Sequence, residues 1–241
     1  MTTIPRNHIV FFHDKSAIPE RSQTAYDATL KHNPDVNHIY LDDAATIALA
    51  EEHFPHLVDT YRSIQIPVTR CDMARLMATY VHGGIYSDIA MGFQRDARGI
   101  ITEGDALVLV RRDDFPVYKD KDTAHLVAGL FASAPGHDFV LSWLKRMFFT
   151  IATGVQNYSC HVAGGPGPIT EEYFLRQLKQ DPTVRVLNFS ELQGTWFQSL
   201  RDPDVNNTWV HTQRDGILPP SKLPARLPHD LFWDDARDPF Q

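Results

Sequence analysis

The sequence predicts an α/β fold built on a mostly parallel open sheet with helices on both faces, Rossmann-like in outline. Two observations carry this reading. Short apolar runs alternate with helical patterns from His8 onward, and strand-helix-strand alternation marks parallel strands joined by crossovers. The run ALVLVR at 106–111 is apolar without alternation, as a central strand covered on both faces should be. Size agrees, since 241 residues with 43% hydrophobic and 22% charged side chains suit one large core better than two small ones. A single domain over 1–241 is therefore expected.

The elements follow in order. Residues 8–12 (HIVFF) read as a buried strand and 17–32 as a weakly amphipathic helix. Asn33-Pro34-Asp35 marks a turn, 38–41 a second strand, and Asp42-Asp43 the N-terminus of a helix through about residue 52. Thr69 with Asp72 three residues on gives a capping-box pattern. Met73, Leu76, Met77, Tyr80 and Val81 then recur at the spacing of one buried helical face, leaving Asp72, Arg75, Thr79 and His82 on the other. Gly83 ends this helix and Gly84 turns the chain into a strand at 85–90, on which Tyr86, Asp88 and Ala90 share one side. Beyond the central strand, 138–151 and 171–178 read as amphipathic helices and 184–187 as a strand. From Asp202 the chain is rich in Pro, Asp and Asn, an irregular C-terminal segment expected to wrap the surface.

Composition excludes some functions. A formal charge of −7 argues against a nucleic-acid footprint, which needs a basic face. Two cysteines, Cys71 and Cys160, make no disulfide framework, so a reducing, cytoplasmic setting is expected. The opening MTTIPRNHIVFF has no long apolar run, and no stretch of 18 apolar residues occurs; neither a signal peptide nor a transmembrane helix is indicated. Peripheral membrane association stays open.

The polar group Asp72, Arg75 and Asp88, set around a helix stop and a tight glycine turn in CDMARLMATYVHGGIYSDIAMGF (71–93), is a positioned cluster. Together with IPRNHIVFF and NPDVNHIYLDD, this segment resembles in order and spacing the DXD-motif sugar-transferases of glycosyltransferase family 32. That family includes fungal mannosyltransferases and bacterial capsule or glycolipid enzymes and is related in fold to large glucosylating toxins. The likeness covers about the first 95 residues, with later echoes at 126–138, at 163–170 and at His211.

The resemblance implies a GT-A fold that binds a nucleotide-activated sugar at the carboxyl ends of its strands. On this basis 1–110 would form the donor half and 111–241 the acceptor side. Asp72 and Arg75 match the family's D-x-x-R pair, which reaches toward the donor sugar and phosphate; Asp88 matches the first DXD carboxylate, and Asp88 with Arg75 would be catalytic. Phe11, Phe12, Asp72, Arg75, Gly84, Tyr86, Asp88 and Gly165 would line the donor site. Mn²⁺ or Mg²⁺ held by Asp88 and His211 would offset charge on the leaving diphosphate. The partners implied are a nucleotide-sugar donor and a glycan or lipid-linked acceptor, with retention of anomeric configuration.

The departures are as informative. Ala90 stands where the second DXD carboxylate belongs, Ile9 and Phe12 replace a His and a Trp, and TQRDG follows His211 where the family has tryptophans. A silent sugar-nucleotide or glycan-binding module is therefore the alternative, and a phosphohydrolase using Asp72 and Asp88 a third reading. Taken singly, Asp72 reads as a cap, His211 as a loop residue, the 164–168 turn as punctuation, 111–114 (RRDD) as a solvated charge cluster and Cys71 as a small packing residue.

Overall fold

A computed structural model describes residues 3–114, 125–154, 163–200, 217–219 and 222. Six strands form the main sheet: β1 (Asn7–Phe11), β2 (Asn37–Leu41), β3 (Gly84–Ser87), β5 (Leu107–Arg111), β6 (Leu126–Ser133) and β7 (Val184–Asn188), in the order β2-β1-β3-β6-β5-β7. Pairs β1–β2, β1–β3 and β5–β7 are parallel, whereas β6 runs antiparallel to both β3 and β5. Five strands therefore share one direction and one carboxyl edge, with β6 reversed between them.

Side-chain alternation divides the core in two. Ile9, Phe11, Tyr86, Leu107 and Leu109 belong to a larger cluster beneath α2 (Asp43–His53), α4 (Pro67–His82) and α5 (Asp138–Thr153), with α3 (Val58–Ser63) beside them. Ile85, Val108, Val110, Leu130 and Ala132 join a second cluster with Phe93 and Phe197, which lie on the two-stranded sheet of β4 (Met91–Phe93) and β8 (Phe197–Ser199). The helix α1 (Glu20–His32) lies along β4 on that second face. The remaining helices are α6 (Pro166–Leu175) and α7 (Phe189–Leu192).

Most expected elements are present. Asp42 caps α2 by accepting from Ala45 N at 2.8 Å, and the α5 pattern is as wide as its sequence implies, burying Phe139, Trp143, Leu144 and Met147. The helix expected from residue 17 is split, a 3-10 turn at Lys15–Ala17 preceding α1, because Pro19 disfavours helical backbone in the residue before it. The helix expected at 171–178 starts earlier, with Pro166 in the first turn where its missing N–H costs nothing.

Three expectations are corrected. Thr69 does not cap α4: Pro67 opens the helix, no side chain caps it, and the Thr69 hydroxyl is buried with no hydrogen-bond partner. The supposed polar face of α4 is not solvated, since Asp72, Arg75 and Thr79 are as buried as Met73, Leu76 and Met77. The strand expected at 85–90 ends at Ser87; Ile89 and Ala90 turn, with Met91 N donating to Asp88 O at 2.8 Å, so Ala90 does not share a strand face with Asp88.

Gly83 and Gly84 meet a backbone demand, with φ of 61° and 114°. A Cβ on Gly84 would lie 2.5 Å from Asn7 O on β1. At the far end, Ile217 and Leu218 are buried in the larger core, and Gln65 N donates to Ile217 O at 2.8 Å. This part of the C-terminal segment is inside the protein, contrary to the surface wrap expected for it; most of the rest lies outside the described residues.

Candidate active site at the carboxyl edge

The site forms where β3 ends beneath the first turns of α4. Tyr86 points to the α4 side of the sheet, and Asp88, two residues on, keeps that side as the strand stops. One turn of α4 brings Asp72 and Arg75 together as an i,i+3 ion pair. Both are almost fully buried, 3% and 4% exposed.

Arg75 organises the cluster. Its Nη2 pairs with Asp72, its Nη1 donates to Ala128 O at 2.5 Å and lies 3.7 Å from Asp88 Oδ1. Its guanidinium also sits 4.9 Å over the Tyr86 ring, a favourable cation-π placement in a desolvated setting. Tyr86 Oη donates to Asp88 Oδ1 at 3.2 Å, while Cys71 Sγ lies 3.2 Å from the same phenol oxygen. Burial pushes the Asp72 carboxyl up to about 6, with Arg75 pulling it back and Asp88 adding to the rise. Burial likewise raises the Cys71 thiol to about 11, so it is no thiolate nucleophile at neutral pH.

The edge continues toward β1 and β2. Phe12 N donates to Leu41 O at 3.0 Å just past the ends of both strands, and the Phe12 ring lies 4.7 Å from that of His13 at 32°. Both rings are half-buried at this edge. Arg70, one residue before Cys71, donates to Asp43 Oδ2 at 2.7 Å, and Tyr61 Oη donates to the other oxygen at 2.8 Å.

The expected residues are thus partly brought together. Asp72, Arg75, Tyr86 and Asp88 converge. Gly165 caps α6 beside Gly164, and a Cβ on Gly164 would lie 3.0 Å from Asp72 Cβ, which places this turn against the cluster. Phe11 is 4% exposed within the larger core, whereas Phe12 stands at the rim. Gly84 is not part of the cluster: it starts β3, about 13 Å along the strand from Asp88, and abuts Asn7. His211 lies outside the described residues.

Two participants escaped the sequence reading, Ala128 and Gly129 of β6. Gly129 O accepts from Asp88 N at 2.8 Å. A glycine inside an apolar strand pattern, as in LVAGLFAS, is the signal of a bulge or close backbone approach that could have found them.

Among the described residues no group of three or more metal-ligating side chains occurs. The donor set is a single motif carboxylate, Asp88, with the methyl of Ala90 in the second position. A hard divalent ion fits such a site through one carboxylate plus diphosphate and water, the combination Mg²⁺ commonly adopts. The two-carboxylate hydrolase reading does not fit, because the Arg75 guanidinium pairs with Asp72 and also lies 3.7 Å from Asp88 Oδ1, where a metal shared by the two carboxylates would have to sit.

Comparison with known proteins finds likenesses in sequence and in fold. Residues 19–107 match the family described as a glycosyltransferase sugar-binding region containing DXD motif. Two curated relatives from Saccharomyces cerevisiae are similar: mannosyl phosphorylinositol ceramide synthase SUR1, 24% identical over 176 residues, and mannosyl phosphorylinositol ceramide synthase CSH1, 27% identical over 131. The matches cover 70% and 54% of this chain but only 43% and 32% of those relatives. Among solved structures, the PaToxG glycosyltransferase superposes with a TM-score of 0.54 at 16% identity, over 74% of this chain and 72% of that one. The fold is of the GT-A type, and the recognised relatives and fold neighbour are glycosyltransferases.

Proposed function

We propose that this chain transfers a hexosyl group from a nucleoside diphosphate sugar, UDP- or GDP-linked, to a hydroxyl of a glycan or lipid-linked acceptor, with retention. The observation that carries the reading is the buried Asp72–Arg75 pair locked beneath Asp88 at the carboxyl edge, which is where open α/β sheets bind ligands. Phe12 supplies a stacking face for the base. Asp72 and Arg75 present an anchored carboxylate and guanidinium toward the sugar, their positions fixed by burial before the donor arrives. Asp88 would hold Mn²⁺ or Mg²⁺ against the diphosphate, which lowers the charge developing on the leaving group.

No side chain in the described cluster stands as a nucleophile for double displacement. Front-face attack is the matching route: the acceptor oxygen bonds to the anomeric carbon as the bond to the diphosphate oxygen breaks. The electron pair leaves with the diphosphate, and the acceptor proton passes to a phosphate oxygen. Such a step depends on positioning and charge stabilisation more than on a side-chain base.

The replacement at Ala90 favours one other reading, a module that binds sugar nucleotide without turning it over. A panel of UDP- and GDP-hexoses, with Mn²⁺ supplied or chelated, separates the two. Release of nucleoside diphosphate that Asp88→Ala abolishes supports the transferase; binding by calorimetry without release, indifferent to metal, supports the module. Turnover unchanged in Asp88→Ala would overturn the assignment of Asp88.

A further inference from the structure

Strand β6 treats its two neighbours differently. Toward β3 the register is continuous, Tyr86 opposite Phe131 and Ser87 opposite Leu130, and the Asp88 N to Gly129 O bond extends it. Toward β5 it breaks: Leu109 faces Phe131, yet Arg111 faces Leu126. Residues 127–130 therefore stand against Val110 alone, a bulge that bends the strand and frees its backbone from the ladder. The Ala128 carbonyl turns to Arg75, and the Gly129 Cα is laid against the Asp88 side chain.

We propose that Gly129 is a positioning residue of the site, its bare Cα setting how deep the Asp88 carboxylate sits. A Cβ at residue 129 would lie 2.5 Å from Asp88 Oδ2, 2.9 Å from Cγ and 3.2 Å from Oδ1, and these are its three nearest neighbours. Gly129 is not among the glycines with positive φ, so alanine meets no backbone strain there. The clash falls on the end of one side chain, and the carboxylate must withdraw by about 1 Å to restore ordinary contact. That withdrawal moves it relative to the Tyr86 phenol and the Arg75 guanidinium, its contacts at 3.2 and 3.7 Å. The fold tolerates the move and the site does not, since misplacing a reacting group by about 1 Å can cost 10²-fold.

The kinetic half of this proposal rests on the transferase reading, whereas the geometric half does not. Gly129→Ala should fold, with an unfolding midpoint lowered by about 2–4 °C, and its kcat/KM for donor turnover should fall about 10- to 100-fold. In an Asp88→Ala background the same glycine substitution should shift the midpoint by less than about 1 °C, because the atoms it strikes are gone. An equal midpoint shift in the two backgrounds overturns the geometry. A folded Gly129→Ala with kcat/KM within about twofold of the parent overturns the positioning role. If the parent turns over no donor, the transferase reading fails, and the midpoint comparison still decides the geometry.

Discussion

Replacing Arg75 by methionine isolates the energetics of the buried cluster. Methionine keeps the aliphatic bulk of the side chain and removes the guanidinium that pairs with Asp72, bonds Ala128 O and covers the Tyr86 ring. Asp72, 3% exposed, is then a buried carboxylate without its cation. Removing one partner of such a pair costs about 3–5 kcal/mol. With a urea m-value of about 3 kcal/mol/M, the midpoint should fall by roughly 1–1.7 M at pH 8. Protonation offers Asp72 relief: its carboxyl is already pushed up to about 6 by burial, and loss of Arg75 lifts it further. The penalty should therefore shrink as pH is lowered from 8 to 5, and it should shrink at every pH when Asp72→Asn is combined with Arg75→Met. Equilibrium urea unfolding followed by far-UV circular dichroism, for the single and double variants, reads all of this. A penalty below about 1 kcal/mol, or one that neither acid nor Asp72→Asn relieves, would refute the account of the pair.

Two further outcomes are expected. His8 is 2% exposed, its Nε2 meets Ser87 Oγ at 2.8 Å and its Nδ1 meets His38 Nδ1 at 3.3 Å, and burial with the His38 charge holds it neutral down to about pH 3. Because that value lies below the 6.5 of the unfolded chain, its contribution to stability is complete above pH 6.5 and is lost on acidification toward 3, by about 1.4 kcal/mol per unit. Asp72 has the opposite slope between about 4 and 6, its folded value being raised, so the His8 share is read as the difference between the parent and His8→Gln in urea midpoints from pH 7.5 to 4.5; a difference flat with pH refutes it. Gly84→Ala should cost about 3 kcal/mol or more, from an unfavourable φ and a Cβ 2.5 Å from Asn7 O, and an unfolding midpoint unchanged within error would contradict that.

The fold was legible wherever local chemistry and burial agree. The β1 and β2 strands, the Asp42 cap and the α5 stripe follow from patterns that tertiary packing leaves intact. The α4 reading failed in an instructive way, because a helix with a polar stripe normally turns that stripe to water. Here the stripe is covered by α5, the Gly164 turn and β6, and Arg75 compensates the burial with the Asp72 carboxylate and a strand carbonyl. At the site, Asp72, Arg75 and Asp88 were marked by their grouping around the helix stop and by the family resemblance of that segment. Ala128 and Gly129 were not, because they act through backbone and through an absent side chain, and their placement depends on a register shift between β5 and β6.

The reversed strand also sets what can exist by itself. β6 follows β3 and β5 in the chain yet lies between them in the sheet, so a polypeptide that stops before residue 126 keeps β2-β1-β3, leaves β5 without either of its sheet neighbours, and has an Arg75 with no Ala128 carbonyl to meet. The region recognisable by family, 19–107, is therefore a signature and not a module: grafted or expressed alone, it would carry the motif and lack the wall that aims it.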